Sequence, residues 1–252
     1  MKLKEIAEII EKEFPLPTAF DWDNCGLLLG DSEREVKTVL LSLDVTCAVA
    51  KEAKEAGADL ILSHHPILFD GTKRITSDTA EGRLISELLQ NNLCVYSAHT
   101  NCDVGKNGIN ARLAEIFNLT DIELLEDNGL GRIGTLEKPV SFGDFALCTK
   151  KILNTPFVRV CGDKNAQISR VAVASGACSE SIPTAVKKSA DVIITADMKY
   201  HDMINYSELG ISIIDAGHYP TEIIVTDIFY ELLSGRGIKL IKSKNPDIFE
   251  FV

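Results

Sequence analysis

The feature that most constrains this chain is that it repeats itself. Set 132 residues apart, Val39 to His65 and Val171 to Asp197 share a strand-loop-helix-strand layout without a gap. Ala58-Asp59-Leu60-Ile61-Leu62-Ser63 faces Ala190-Asp191-Val192-Ile193-Ile194-Thr195. Such short apolar runs bounded by polar residues read as buried strands. Each copy continues into a helical stretch and a further strand, Leu93 to Ser97 in one and Ile211 to Asp215 in the other. Each of those strands leads to a histidine, His99 or His218, with a carboxylate four residues later, Asp103 or Glu222. β-α-β units resemble one another by composition alone, but a gapless match extended by matching histidine-carboxylate pairs favours duplication. The expected architecture is α/β, with two pseudo-repeated lobes, residues 1–125 and 126–252, joined most weakly at 126–134. A cleft is expected between them.

A chain of 252 residues has room for one large domain or two modest ones. The formal net charge is -11. An acidic chain with no basic run is a poor match for a phosphate backbone, which argues against nucleic acid as a partner. The amino end lacks the apolar core of a signal peptide, and no apolar stretch approaches the length of a membrane span. The seven cysteines are odd in number and show no C-x-x-C spacing. They read as reduced thiols with packing roles, in a cytoplasmic protein.

Local signals place further elements. Leu3, Ile6, Ile10 and Phe14 follow helical spacing, closed by Pro15 and Pro17. Leu27 to Leu29 looks like a strand, and Gly57 caps a helix over 46–56. Asp78 and Glu81 stand at capping-box spacing, so a helix is expected from residue 77 or 78. Ser141 and Asp144 open another helix. Strands are expected at 122–125, 132–136 and 157–161, and a helix carrying Glu222 is expected to run on to Ser234.

Chemistry is concentrated at the strand ends. His64 and His65 leave the apolar strand Leu60-Ile61-Leu62-Ser63 together, and Pro66 stops it. His99, His201 and His218 also lie just past expected strands, the edge at which open α/β sheets build their sites. Histidine with carboxylate and no cysteine favours zinc, manganese, iron, cobalt or nickel. Neighbouring side chains on an extended backbone diverge, so His64 and His65 are expected to serve two ions rather than one. Two ions roughly 3.5–4 Å apart call for a bridging carboxylate, and Asp103 and Glu222 are the candidates. Taken singly, Asp103 is also a turn acceptor and Glu222 a helix-dipole partner. Ser175-Gly176-Ala177-Cys178-Ser179 joins a strand to a helix. It lacks the Lys-Ser/Thr of a P-loop and reads as a tight turn rather than a phosphate cradle.

Five stretches together resemble the NIF-three-like family, also known as GTP cyclohydrolase 1 type 2 homologues. They are Trp22-Asp23-Asn24-Cys25-Gly26-Leu27, Ser63-His64-His65-Pro66-Ile67-Leu68-Phe69, His99-Thr100-Asn101-Cys102-Asp103, Thr195-Ala196-Asp197-Met198-Lys199-Tyr200-His201 and Asp215-Ala216-Gly217-His218-Tyr219-Pro220-Thr221-Glu222. The resemblance implies two intertwined α/β lobes with mixed sheets, without the middle domain that some members insert. It also implies a homohexameric ring and two divalent ions held in the cleft by His64, His65, Asp103, His218 and Glu222. That pattern passes over His99, which is expected to sit behind the ligands or touch substrate. His201 is expected in proton transfer or substrate contact. The family's Thr-Gly-Asp turn stands here as Thr195-Ala196-Asp197, which predicts strain if the alanine must take a positive φ.

Two functions follow from this reading. The first is a metal-dependent hydrolase acting on a nucleotide-like small molecule, with opening of a cyclic amidine as the implied reaction. The alternative is a metal-binding or scaffold protein without turnover. DNA binding by a ring is disfavoured by the charge.

Overall fold

The computed structural model describes residues 1–69 and 71–250. In chain order the first elements are α1 (Leu3–Glu13), β1 (Gly26–Leu29), β2 (Thr38–Ser42), α2 (Cys47–Ala56), β3 (Leu60–Ser63), α3 (Ala80–Gln90) and β4 (Cys94–Ser97). Next come α4 (Thr100–Val104), α5 (Ile109–Ile116), β5 (Thr120–Leu124), β6 (Arg132–Ser141), α6 (Phe142–Ile152), β7 (Arg159–Cys161) and β8 (Gln167–Val173). The last are α7 (Ile182–Lys187), β9 (Val192–Thr195), α8 (Tyr200–Ser207), β10 (Ser212–Asp215), α9 (His218–Glu222), α10 (Val225–Leu233) and β11 (Lys239–Lys242).

The chain forms two compact units. The first is Met1–Cys102 with Val225–Phe249, and the second is built on Asp103–Ile224. The boundary expected at 125/126 is therefore displaced, and the carboxyl end returns to the first unit. The cause is visible in the sheet. Strand β11 pairs parallel with β2, Lys239 opposite Thr38, and so covers an edge that β2 would otherwise expose. For the same reason the expected single helix through Glu222 is two helices. The first, α9, ends at Glu222 in the second unit, while α10 belongs to the first unit.

The first unit holds a five-stranded sheet in the order β1-β4-β3-β2-β11. Strands β2, β3 and β4 run parallel, and β1 is antiparallel to β4. Buried parallel strands need apolar residues on both faces, and β2 and β3 are buried along their whole length. On one face Leu40, Ile61 and Val95 pack with Val49, Ala50 and Ala53 of α2 and Leu88 of α3. The cap of α3 differs from expectation. The Thr79 side chain, not Asp78, accepts from Gly82 N, and the helix starts at Ala80.

The second unit holds a six-stranded sheet in the order β5-β6-β8-β9-β10-β7. Strands β8, β9 and β10 are parallel, and antiparallel strands flank them. The duplication is present in atomic detail. Asp59 accepts from the amides of Lys37 and Thr38, and Asp191 accepts from those of Ser169 and Arg170, at the same offset. Gly57 ends α2 at φ 65, and Ser189 holds the equivalent position at φ 57. Val39 pairs with Leu60 as Val171 pairs with Val192.

Candidate metal centre

In the first unit the site grows from the carboxyl ends of β3 and β4. His64 is fully buried and its Nδ1 lies 2.8 Å from the Ala98 carbonyl, which can only accept. His65 Nδ1 lies 2.8 Å from Asp44 Oδ1, and His99 Nδ1 lies 2.8 Å from Asp23 Oδ1. An Nδ1–H committed to an oxygen leaves the ring lone pair on Nε2, the tautomer a metal site selects with a second layer of hydrogen bonds. The potential ligand atoms of His64, His65 and His99 lie within 4.8 Å of one another, a grouping that could hold a metal ion. His64 and His65 both reach this grouping, with ring centroids 5.0 Å apart. The chain has left the strand at Ser63 and bends at both histidines, so the alternation of an extended backbone no longer applies.

Asp23 is the most heavily used acceptor at this edge. It receives His99 Nδ1, the amide and hydroxyl of Thr100, and the Cys25 thiol. Burial pushes its carboxyl up, but the bonds from His99, Thr100 and Cys25 outweigh that and hold it well below the usual carboxylate range. The same burial, together with Asp23, pushes the Cys25 thiol up to about 12. It remains a thiol and donates to Asp23.

In the second unit the site grows from the ends of β8, β9 and β10. His218 Nδ1 lies 2.7 Å from Asp197 Oδ2, and its Nε2 lies 2.9 Å from Oε2 of the buried Glu222. Asp215, at the end of β10, accepts from the amides of Met198 and Gly217 and so fixes the turns that carry Asp197 and His218. Asp197 is the residue at positive φ in its turn, at 54°, while Ala196 is not. The expected strain at the alanine is absent, because the left-handed position falls one residue later, on a type that tolerates it.

The turn at Ser175-Gly176 makes room for these groups. Ser175 Oγ donates to Asp103 Oδ1 at 3.4 Å, and Gly176 N donates to Thr221 Oγ1 at 3.1 Å. A Cβ at Gly176 would meet Glu222 Oε1 at 2.1 Å and His218 Nε2 at 3.3 Å. The turn therefore seats carboxylates rather than a phosphate. Cys178 is buried beside it. Burial first, and then the charges of Asp103, Glu180 and Glu222, push its thiol far up, so it stays protonated. His201 is exposed at the second position of α8, beside Tyr200, and among the described residues joins none of the groups able to hold a metal.

The histidine braces Asp23, Asp44 and Asp197 escape a reading of the sequence that looks for carboxylates a fixed step after each histidine. Asp44 and Asp197 each stand two residues past the end of a central strand. A search along strand ends rather than along the helix period would have found those two.

The fold and its donors define an α/β protein of two sheets carrying histidine and carboxylate groups able to hold a metal ion. The chain belongs to the Duf34/NIF3 (NGG1p interacting factor 3) family, whose model matches residues 1–247. A GTP cyclohydrolase 1 type 2 homolog of Clostridium perfringens is 37% identical over 262 residues, covering 100% of both chains. A Bacillus cereus protein related to NIF3 superposes with a TM-score of 0.94 at 25% identity, covering 100% of this chain and 99% of that one. Reduced HcgD from Methanocaldococcus jannaschii superposes with a TM-score of 0.88 at 37% identity, covering 97% and 98%. The family read from the motifs is thereby confirmed. Among the described residues, no helix is long and apolar enough to cross a membrane.

Proposed function

We propose that this protein holds two divalent metal ions per chain and is a metal-dependent hydrolase of a nucleotide-like small molecule. The ligands are His64, His65, Asp103, His218 and Glu222. The observation that carries this reading is that His64, His65 and His218 each have Nδ1 committed to a buried carbonyl or a carboxylate, which presents Nε2 as the donor; His99 shares the arrangement through Asp23, and only the family resemblance sets it apart. Hydrogen-bonded structural histidines have no need of that uniformity. A divalent pair of this kind lowers the pKa of water and stabilises developing negative charge.

The chain's own residues do the rest. Asp44, Asp197 and the Ala98 carbonyl hold the tautomers, and Gly176 leaves Glu222 its place. We assign Glu222 to both ions, since it is a buried carboxylate anchored in α9. We assign His99 to substrate contact and His201, which is exposed, to proton transfer or substrate contact. The name carried by the Clostridium perfringens relative supports a purine nucleotide as the model substrate. On the same resemblance we propose a homohexamer. Light scattering at micromolar concentration is expected to give six chains, and a monomer would reject that assembly.

Elemental analysis after reconstitution with zinc, manganese and iron, followed by a screen of nucleotides and small esters, tests the reading. Two ions per chain and turnover that disappears with chelator are expected. One ion or fewer would end the dinuclear claim. Two ions with no metal-dependent turnover on any substrate would end the hydrolase claim and leave a metal-holding protein.

A further inference from the structure

The first unit exposes an aromatic surface that the ligand chemistry does not use. Trp22 is 57% exposed and Phe69 50% exposed, and their ring centroids lie 5.6 Å apart at 50°. Trp22 meets His99 edge-on at 6.1 Å, and Phe69 meets it at 6.3 Å. Phe20 closes one side of the indole at 5.6 Å and 63°. Adjacent large rings left half in water form a contiguous apolar patch, the kind of surface that marks a binding site, as isolated exposed rings do not.

These rings are held in place, not loosely exposed. Asp23, next to Trp22, receives hydrogen bonds from His99, Thr100 and Cys25. Phe20 N donates to Thr100 Oγ1 at 3.0 Å. The Asn24 side chain donates to the Leu68 carbonyl and so ties this loop to the segment carrying Phe69. A surface fixed before its ligand arrives loses little entropy on binding.

We propose that Trp22 and Phe69 form a stacking platform for a planar heteroaromatic ring of the substrate, laid beside His99. This rests on the metal-dependent reading above and supplies what that reading lacks, a part of the chain that recognises the ring. The other occupant of such a surface is a second copy of the chain. Two half-exposed rings fall far short of the ~800 Å² that each partner buries in a standard interface, while the indole face alone suits one fused ring system and Phe69, tilted 50° from it, flanks that ring. The position beside His99 also favours a small ligand, because a ring stacked there lies next to an imidazole whose Nδ1 is already held by Asp23.

The chain has a single tryptophan, so its fluorescence reports on the platform alone. Metal-loaded protein is titrated with guanosine, with pterin and with ribose, all neutral. Either ring compound is expected to quench the emission saturably, and ribose is expected to leave it unchanged. By calorimetry, Phe69→Ala and Trp22→Ala should each weaken binding of the quenching compound about tenfold, within the roughly 1–3 kcal/mol range of base stacking on an aromatic side chain. Trp22→Phe should restore most of it. Bound metal, measured by elemental analysis, should match wild type in all three variants, so loss of stacking is separable from loss of the metal centre. No saturable quench with either ring compound would overturn the platform. So would wild-type binding in both alanine variants, or smaller assemblies by light scattering with ring binding intact, which would assign the rings to self-association.

Discussion

Gly176 shows how tightly a single residue can limit the site. Alanine there would set its Cβ 2.1 Å from Glu222 Oε1 while holding φ at +62°, so both the contact and the backbone oppose it. Gly176→Ala is expected to cost more than about 1 kcal/mol of stability and to lower bound metal, read by thermal denaturation and elemental analysis. Unchanged metal content would mean that Glu222 has another way to its ligand position. Asp23 gives a second test. Asn in its place keeps the shape but turns an NH2 toward groups that already donate, at about 1–3 kcal/mol for the groups left unsatisfied. Asp23→Asn should lower the melting temperature and blunt the Trp22 quench by guanosine or pterin while His64 and His65 still bind metal. At this scale the sequence made the donors legible, because histidines past apolar strands are conspicuous. It did not make the braces legible. Which carboxylate meets which ring depends on the strand ends that adjoin in space, and Asp23 reaches His99 across 76 positions of chain.

The duplicated element is where sequence and structure agree best. The gapless offset survives as paired registers, matched left-handed caps and two aspartates that bind equivalent amides. Asp59→Ala and Asp191→Ala should therefore destabilise alike, by about 1–2 kcal/mol each, with Asp59 the costlier because Arg34 also approaches it at 3.4 Å. Denaturant unfolding of the two variants checks this. A negligible effect at one position would show that its copy of the element no longer relies on the tie. What the repeat did not reveal was the return of β11 to the first sheet. Pairing of an edge strand with a segment some 200 residues away leaves no periodic trace, and Lys239-Leu240-Ile241-Lys242 is too short an apolar run to announce its partner. The helix break after Glu222 was hidden for a similar reason. Ile223 and Ile224 continue an apolar helical pattern, although the chain there passes from one compact unit to the other.

Across the whole molecule, metal binding and folding are linked. His64, Asp103 and Glu222 are buried, so the donors are ordered with the fold and dispersed in the unfolded chain. A ligand that binds only the native state stabilises it by RT ln(1 + [L]/Kd), about 2.7 kcal/mol when free metal stands at a hundred times Kd. The melting temperature of the wild type should therefore climb with free zinc or manganese and fall on chelation. His64→Ala removes one donor, and Glu222→Gln removes a charge that we assign to both ions. Both variants should lose most of the climb, with Glu222→Gln losing more than Asp103→Asn. His201→Ala should climb as the wild type does, since His201 is exposed and, among the described residues, lies outside the groups able to hold a metal. His99→Ala should do the same if its role is contact with substrate. A flat response in His99→Ala, with metal content reduced to match, would move His99 into the ligand set beside His64 and His65, where its imidazole already lies.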